Sequence, residues 1–272
     1  MKSTGFIWIT VSLCAAVIGC SALPGDRPAA AKAGESFSPS VGQAGKDVVW
    51  VPTPDRLVEK MLDMAQVAPS DNLIDLGSGD GRTVIAAAKR GVKALGIEYN
   101  PDMVALSKRN AAKAGAAGKA QFVRADIFES DLSGASVITM FLLPELNLRL
   151  RPAILALKPG TRIVSNTFTM GEWEHDNSAD LGCGTYCIAY LWIVPAKVEG
   201  QWRSEQGALS LRQNFQTISG TLGTAPISNG KLHGEQINFS ADAAQYSGRV
   251  TGGSIEGTFK SATRSGAWKA ER

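Results

Sequence analysis

The stretch Leu73-Ile74-Asp75-Leu76-Gly77-Ser78-Gly79-Asp80-Gly81-Arg82 constrains this chain more than any other ten residues. It reads as a short buried strand, a loop with glycine at every second position, and a helix. The helix opens near Arg82 and carries Val84, Ile85 and Ala88 on one side. A loop between strand and helix presents backbone N–H groups to whatever lies above it. Glycine has no Cβ, so Gly77, Gly79 and Gly81, with Ser78 among them, let the backbone come close to a ligand. Their G-x-G-x-G spacing departs from the dinucleotide pattern G-x-G-x-x-G and from the phosphate loop ending in Gly-Lys-Ser/Thr. Asp75, two residues before the first glycine, suits a ligand with a positive amino group better than one with a pyrophosphate.

The segments that follow keep the same rhythm. Val92-Lys93-Ala94-Leu95-Gly96-Ile97 reads as a second strand ending in Glu98. That acid lies about 20 positions beyond the glycine loop, where a nucleotide-binding fold places the carboxylate that accepts ribose hydroxyls. Asn100 and Pro101 are a good N-cap and first-turn pair for a helix. Gln121-Phe122-Val123-Arg124 reads as a third strand, followed by Ala125-Asp126-Ile127. Residues 136–142 read as an apolar fourth strand, and Leu157-Lys158-Pro159-Gly160 as the turn into a fifth at 161–166. Strand and helix alternating over about 120 residues argue for an α/β fold with a doubly wound, mostly parallel sheet.

D-x-G-x-G-x-G, from Asp75 to Gly81, resembles motif I of the class I S-adenosylmethionine (SAM) dependent methyltransferases. The resemblance implies a Rossmann-like fold with SAM as cofactor. It places Asp75 at the methionine amino group and Gly77, Ser78, Gly79 and Gly81 under the methionine and ribose. Glu98 would hold the ribose hydroxyls and Asp126 the adenine amine. Four further pieces narrow it: Trp50-Val51-Pro52-Thr53-Pro54, the Gly-Ser-Gly-Asp-Gly-Arg loop, Glu98-Tyr99-Asn100-Pro101 and Phe141-Leu142-Leu143-Pro144. Together they look like the small membrane-anchored methyltransferases that include mitochondrial lysine methyltransferases acting on an ATP synthase subunit and on a nucleotide carrier. The likeness covers residues 47–175, under half of the chain. It implies a protein lysine as acceptor, in a membrane-associated protein. It also implies a methyl-transfer mouth lined from Phe141 to Pro144 and closed by Trp50, Pro52 and Thr53. Phe141, Pro144, Trp50 and Thr53 are therefore the candidate catalytic positions. Two other readings stay open: a non-catalytic binding module on this fold, and a nicotinamide-dependent oxidoreductase.

Composition frames these readings. Of 272 residues, 44% are hydrophobic and 19% charged, which excludes wholesale disorder. A net charge of +3 without any Lys/Arg run gives no support to a nucleic-acid partner. The stretch after strand four also lacks the Asn-Pro-Pro-Tyr-like tetrapeptide of amino-methylating DNA enzymes. Cys183 and Cys187 have no second pair with which to form a zinc site, and no metal is expected. In one extended strand their Cα atoms would lie about 13 Å apart, too far to bridge. A turn at Gly184 would close that gap, and an oxidising compartment would then favour a disulfide. His175, beyond strand five, is a weak candidate for the active-site mouth.

The two ends of the chain read differently. Lys2 is followed by an uncharged run from Ser3 through Gly25, and Val17-Ile18-Gly19-Cys20 resembles a bacterial lipobox. Residues 1–20 are thus a leader, with lipidation at Cys20 or export favoured over an uncleaved anchor facing the cytosol. Export sits uneasily with SAM, a cytosolic metabolite. Residues 21–46, rich in Ala, Gly, Pro and Ser, read as a linker. The SAM-binding region is expected over 47–200. It begins with a helix capped by Thr53 with Pro54 at its first position, and it ends with a sixth strand over 184–194. Gln201 to Arg203 is the candidate seventh strand. Over 201–272, short alternating segments separated by glycines predict a small antiparallel all-β domain.

Overall fold

The computed structural model describes Met1 and residues 37–272. The leader and Cys20 lie outside the described residues. Among the described residues no helix is long and apolar enough to cross a membrane.

The first part is a seven-stranded sheet. Its strands are β1 (Asn72–Leu76), β2 (Lys93–Glu98), β3 (Ala120–Arg124), β4 (Val137–Met140), β5 (Arg162–Asn166), β6 (Asn177–Asp180) and β7 (Ile188–Ile193). Its order is β3-β2-β1-β4-β5-β7-β6. The first five strands are parallel, and β7 runs antiparallel to both β5 and β6. Four helices accompany it: α1 (Asp55–Met64), α2 (Arg82–Lys89), α3 (Pro101–Lys113) and α4 (Pro144–Leu155). Side chains on alternate strand positions enter different cores. Leu73 joins the cluster that holds Leu57, Val84 and Val104, from α1, α2 and α3. Ile74 and Leu76 join Leu150 and Ile154 of α4 on the other side. The sheet is thus covered on both faces, which is why its central strands read as continuous apolar runs.

Three sequence expectations shift here. The chain's sixth strand is Asn177–Asp180, a polar edge strand with no hydrophobic signal, and the seventh is Ile188–Ile193 rather than 184–194. Gln201 to Arg203 is not part of this sheet, because it lies in the next one. Thr53 does not cap α1. Pro54 holds the N-cap position, and the Thr53 hydroxyl instead accepts a hydrogen bond from Asn166 Nδ2 at 3.3 Å. Asn100 does cap α3, accepting from the Asp102 and Met103 N–H groups, with Pro101 in the first turn.

The second part is a closed barrel. Its strands are β8 (Gly200–Ser204), β9 (Gly207–Asn214), β10 (Thr217–Leu222), β11 (Ala225–Pro226), β12 (Ser228–His233), β13 (Gln236–Ala241), β14 (Ala244–Thr251), β15 (Ser254–Lys260) and β16 (Ser265–Glu271). Pairing runs β10-β12-β13-β14-β15-β16-β8-β9, and β9 pairs back onto β10. Closure removes the exposed edges that an open meander would leave. The two-residue β11 hangs on β10. Burial alternates strictly along β14, and the inward side chains fill the interior. Trp268 meets Phe239 and Tyr246 edge-on at 5.6 and 5.5 Å, and its Nε1 donates to Ser247 O at 3.0 Å. The barrel docks on the sheet through Phe215, stacked on buried Trp173 at 5.9 Å. Gln216 Nε2 adds a hydrogen bond to Glu174 O at 2.8 Å.

Candidate active site

A cavity of about 480 Å³ opens above the carboxyl ends of the parallel strands. The strand order reverses between β1 and β4, and ligands of open α/β sheets bind at such a switch point. The glycine loop forms its floor. Gly77, Gly79 and Gly81 all have positive φ, at +74°, +54° and +84°. Glycine is needed here for a second reason as well. A Cβ on Gly81 would meet Phe122 and Ser107 at 2.7 Å, and one on Gly79 would meet Trp50 Nε1 at 2.7 Å. The close approach that glycine permits is thus to the protein itself. Helix α3 braces the loop from behind, with Ser107 Oγ donating to Gly79 O and Asn110 Nδ2 to Asp80 O. Ser78 turns its hydroxyl inward against Gly96, where it has no hydrogen-bond partner, so only its backbone faces a ligand.

The three acids expected from the sequence, Asp75, Glu98 and Asp126, all line the cavity. Asp75 is 6% exposed, and Thr139 donates a hydrogen bond to its Oδ1 at 2.7 Å. Burial pushes its carboxyl up to about 7, against the Thr139 hydrogen bond and with a further push from Asp80 and Glu98. Such a group is completed by a cation. Glu98 spends one oxygen on the Gly79 N–H at 3.0 Å and the other on the Asn100 N–H at 2.9 Å. These two bonds fix the carboxylate and leave each oxygen a further lone pair for a diol. Asp126 is held differently. It pairs with Lys46, whose hydrogen bond keeps its carboxyl below the usual range. The Lys46 ammonium also sits 4.6 Å from the centre of the Tyr99 ring.

Lys46 belongs to a hairpin over residues 42–50, in which Gly42 and Gln43 exchange backbone bonds with Trp50 and Ala44 bridges Val49. Residues 43–53 line the cavity as a strap. Arg82 ties the strap to the glycine loop, donating to Thr53 O at 2.9 Å while paired with Asp80. Sequence reasoning leaves Lys46 in the linker. Only the turn residues Gly42 and Gly45 hint otherwise.

Of the four candidate catalytic positions, Trp50, Thr53 and Phe141 line the cavity. Pro144 does not. It is exposed at the first turn of α4, and Leu146 lines the cavity in its place. Sequence reasoning also misses two aromatics. Phe141, Phe168 and Tyr186 form a cluster with centroid separations of 5.3, 6.1 and 6.2 Å, and all three line the cavity. Phe168 follows Thr167, a β-branched residue at φ +62° that no sequence pattern announces. Tyr186 lies between Cys183 and Cys187, which form a disulfide with Cα atoms 5.5 Å apart. His175 packs on Tyr190 at 4.9 Å and takes no part in the lining. No group of three or more metal-binding side chains occurs among the described residues.

Residues 75–177 match the family model of the ANTKMT methyltransferase domain. A protein-lysine N-methyltransferase of Saccharolobus islandicus (strain REY15A) is 44% identical over 151 residues, covering 54% of this chain and 94% of that protein. The chain belongs to this methyltransferase family. The adenine nucleotide translocase lysine N-methyltransferase of Mus musculus is 34% identical over 129 residues, covering 47% of this chain and 56% of the mouse enzyme. Among solved structures, an RNA methyltransferase from Salinibacter ruber in complex with S-adenosyl-L-homocysteine is 44% identical, with a TM-score of 0.52. The match covers 54% of this chain and 96% of that one. The chain is a SAM-dependent methyltransferase with SAM as its cofactor. The site's chemistry fits that cofactor. A buried carboxylate in want of a cation, a braced carboxylate with free lone pairs and an apolar mouth match its amino group, its diol and its methyl end. None of the residues lining the cavity belongs to the barrel.

Proposed function

We propose that this methyltransferase acts on the side-chain amine of lysine in a protein acceptor. The observation that carries this reading is the aromatic mouth of Phe141, Phe168 and Tyr186, which lines the same cavity as Asp75, Glu98 and Asp126. The names of the archaeal and mouse relatives point the same way. SAM brings an activated methyl group, so the protein need only position and desolvate. Asp75 binds the amino group, Glu98 the ribose hydroxyls, and Asp126 the adenine amine once Lys46 moves aside. The glycine loop passes beneath. Trp50 and Thr53 of the strap exclude water. Alignment of this kind is worth about 7–11 kcal/mol of a barrier. An apolar mouth also lowers the pKa of an entering ammonium, which favours the neutral amine that reacts.

The test compares methyl-lysine across the proteomes of a deletion strain and its parent. Loss of methyl-lysine at particular sites, restored in vitro by the purified protein and labelled SAM, supports the reading. An RNA acceptor is the second reading, favoured by the name of the Salinibacter relative. Label removed by ribonuclease and not by protease would select it. We further propose that the leader exports or anchors the chain through Cys20. The Cys183–Cys187 disulfide supports an oxidising surrounding. Palmitate labelling that survives Cys20→Ser would contradict lipidation there.

A further inference from the structure

The loop between β6 and β7 is closed on itself. Cys183 and Cys187 bridge a loop in which Gly184 takes φ +120° and Leu181 donates to Cys187 O at 3.1 Å. Cys187 is buried and anchors one end, whereas Tyr186 beside it is 38% exposed. Over a third of its surface is open, so packing holds it on one side only. Here its ring is set against Phe141 at 5.3 Å and Phe168 at 6.2 Å. The partners are fixed from elsewhere. Phe141 directly follows β4, and the Phe168 carbonyl accepts a hydrogen bond from Asn147 Nδ2 at 3.2 Å. The collar is thus two fixed rings and a third whose position depends on a covalent clasp.

We infer that Tyr186 is an acceptor-binding residue, and that the Cys183–Cys187 disulfide positions it, so that acceptor affinity depends on the redox state of this pair. The inference rests on the amine-acceptor reading. Three aromatic faces attract an ammonium through their quadrupoles and cover its alkyl stem, which selects a long aliphatic amine. Reduction by a dithiol breaks the S–S bond. It delivers two electrons and two protons to give two thiols, and the dithiol becomes a disulfide. The loop then gains conformational freedom, and Tyr186 loses the orientation it holds in the collar. The cofactor contacts, which come from the carboxyl ends of β1, β2 and β3, are untouched.

The experiment uses the full chain with the disulfide verified by non-reducing peptide mapping, labelled SAM, and poly-L-lysine as acceptor. Binding of tetramethylammonium in the presence of S-adenosylhomocysteine is followed by calorimetry as a readout that needs no turnover. Reduction with dithiothreitol should raise KM for polylysine about tenfold and weaken tetramethylammonium alike, the size expected of a desolvated cation–aromatic contact. kcat at saturation and the Kd for SAM should stay within error. Cys183→Ser/Cys187→Ser should match the reduced protein. Tyr186→Ala should show the raised KM in both redox states, and Tyr186→Phe should keep the oxidised value. Unchanged KM and unchanged tetramethylammonium binding on reduction and in Tyr186→Ala would overturn the inference. If polylysine takes no label, the amine reading fails, and the tetramethylammonium arm alone then decides whether the clasped collar binds a cation.

Discussion

The sheet and the barrel of this chain solve the burial problem in opposite ways. In the barrel every strand closes on a neighbour, inward side chains alternate with outward ones, and the interior is filled by Trp202, Trp268, Phe239 and Tyr246. None of its residues lines the cavity above the sheet. In the sheet several local rules are broken at the carboxyl ends of the strands. Three glycines hold positive φ, Thr167 is strained, and Asp75 is buried beyond its comfort. Those departures gather around one cavity, as expected of a functional site. The barrel thus carries stability and shape, while the sheet carries the reaction.

The largest effect that tests this division lies in the barrel. Trp268→Ala should cost about 3–5 kcal/mol in denaturant unfolding, the usual result of emptying an aromatic core position. Under conditions where the variant stays folded, its affinity for SAM should equal that of the parent. A variant that is folded but fails to bind SAM would break the division.

Asp75 gives the next effect. Between the ordinary carboxyl value and about 7, the folded protein keeps a proton that the unfolded chain has lost. Raising the pH through that window therefore lowers stability, by up to about 4 kcal/mol. Asp75→Asn should melt higher than the parent at pH 8, with the difference vanishing near pH 4. SAM affinity of the parent should rise with pH through about 7, as the carboxylate becomes available to the amino group, and this dependence should be absent in the variant. A pH-independent difference in melting would contradict the buried charge.

Gly81→Ala should lose about 2 kcal/mol of stability, since a Cβ at φ +84° is strained and meets Phe122 and Ser107. Thermal unfolding checks it. Gly115→Ala, also at positive φ but in open space, isolates the cost of the contact from the cost of the backbone. The smallest effect concerns the strap. Lys46→Ala removes an exposed ion pair and should leave the melting temperature unchanged while SAM binds more tightly, because Asp126 is freed. Weaker binding would show that Lys46 holds the cofactor rather than competing with it.

The two regions also differ in how they are read from sequence. The barrel announces itself by alternation and glycine spacing, because a strand with one wet face must alternate. Its closure does not, since the pairing of β8 with β16 joins the first and last strands of the barrel, a contact that no local pattern encodes. In the sheet, Asp75, Gly77, Gly79, Gly81 and Glu98 are legible through spacing, because the loop must turn, and a carboxylate must stand at the next strand end. Strand β6 is not legible, because an exposed polar edge needs no apolar residue. Phe168 and Tyr186 escape notice for a related reason. Each reaches the cavity from a loop, one through a strained threonine and the other through a disulfide, and neither device has a period. Pro144 is drawn in by adjacency to Phe141, whereas the helix that starts there turns it outward.

If the sheet's own carboxylates hold the cofactor, Glu98 is the anchor, and calorimetric titration of SAM into the full chain and into Glu98→Ala decides the matter. Loss of charge-assisted hydrogen bonds to the ribose should weaken binding by about 1.5–3 kcal/mol, or roughly 10- to 150-fold, with the fold retained by circular dichroism. Equal affinity of the two proteins for SAM would mean that the ribose is held elsewhere and that Glu98 only braces the glycine loop.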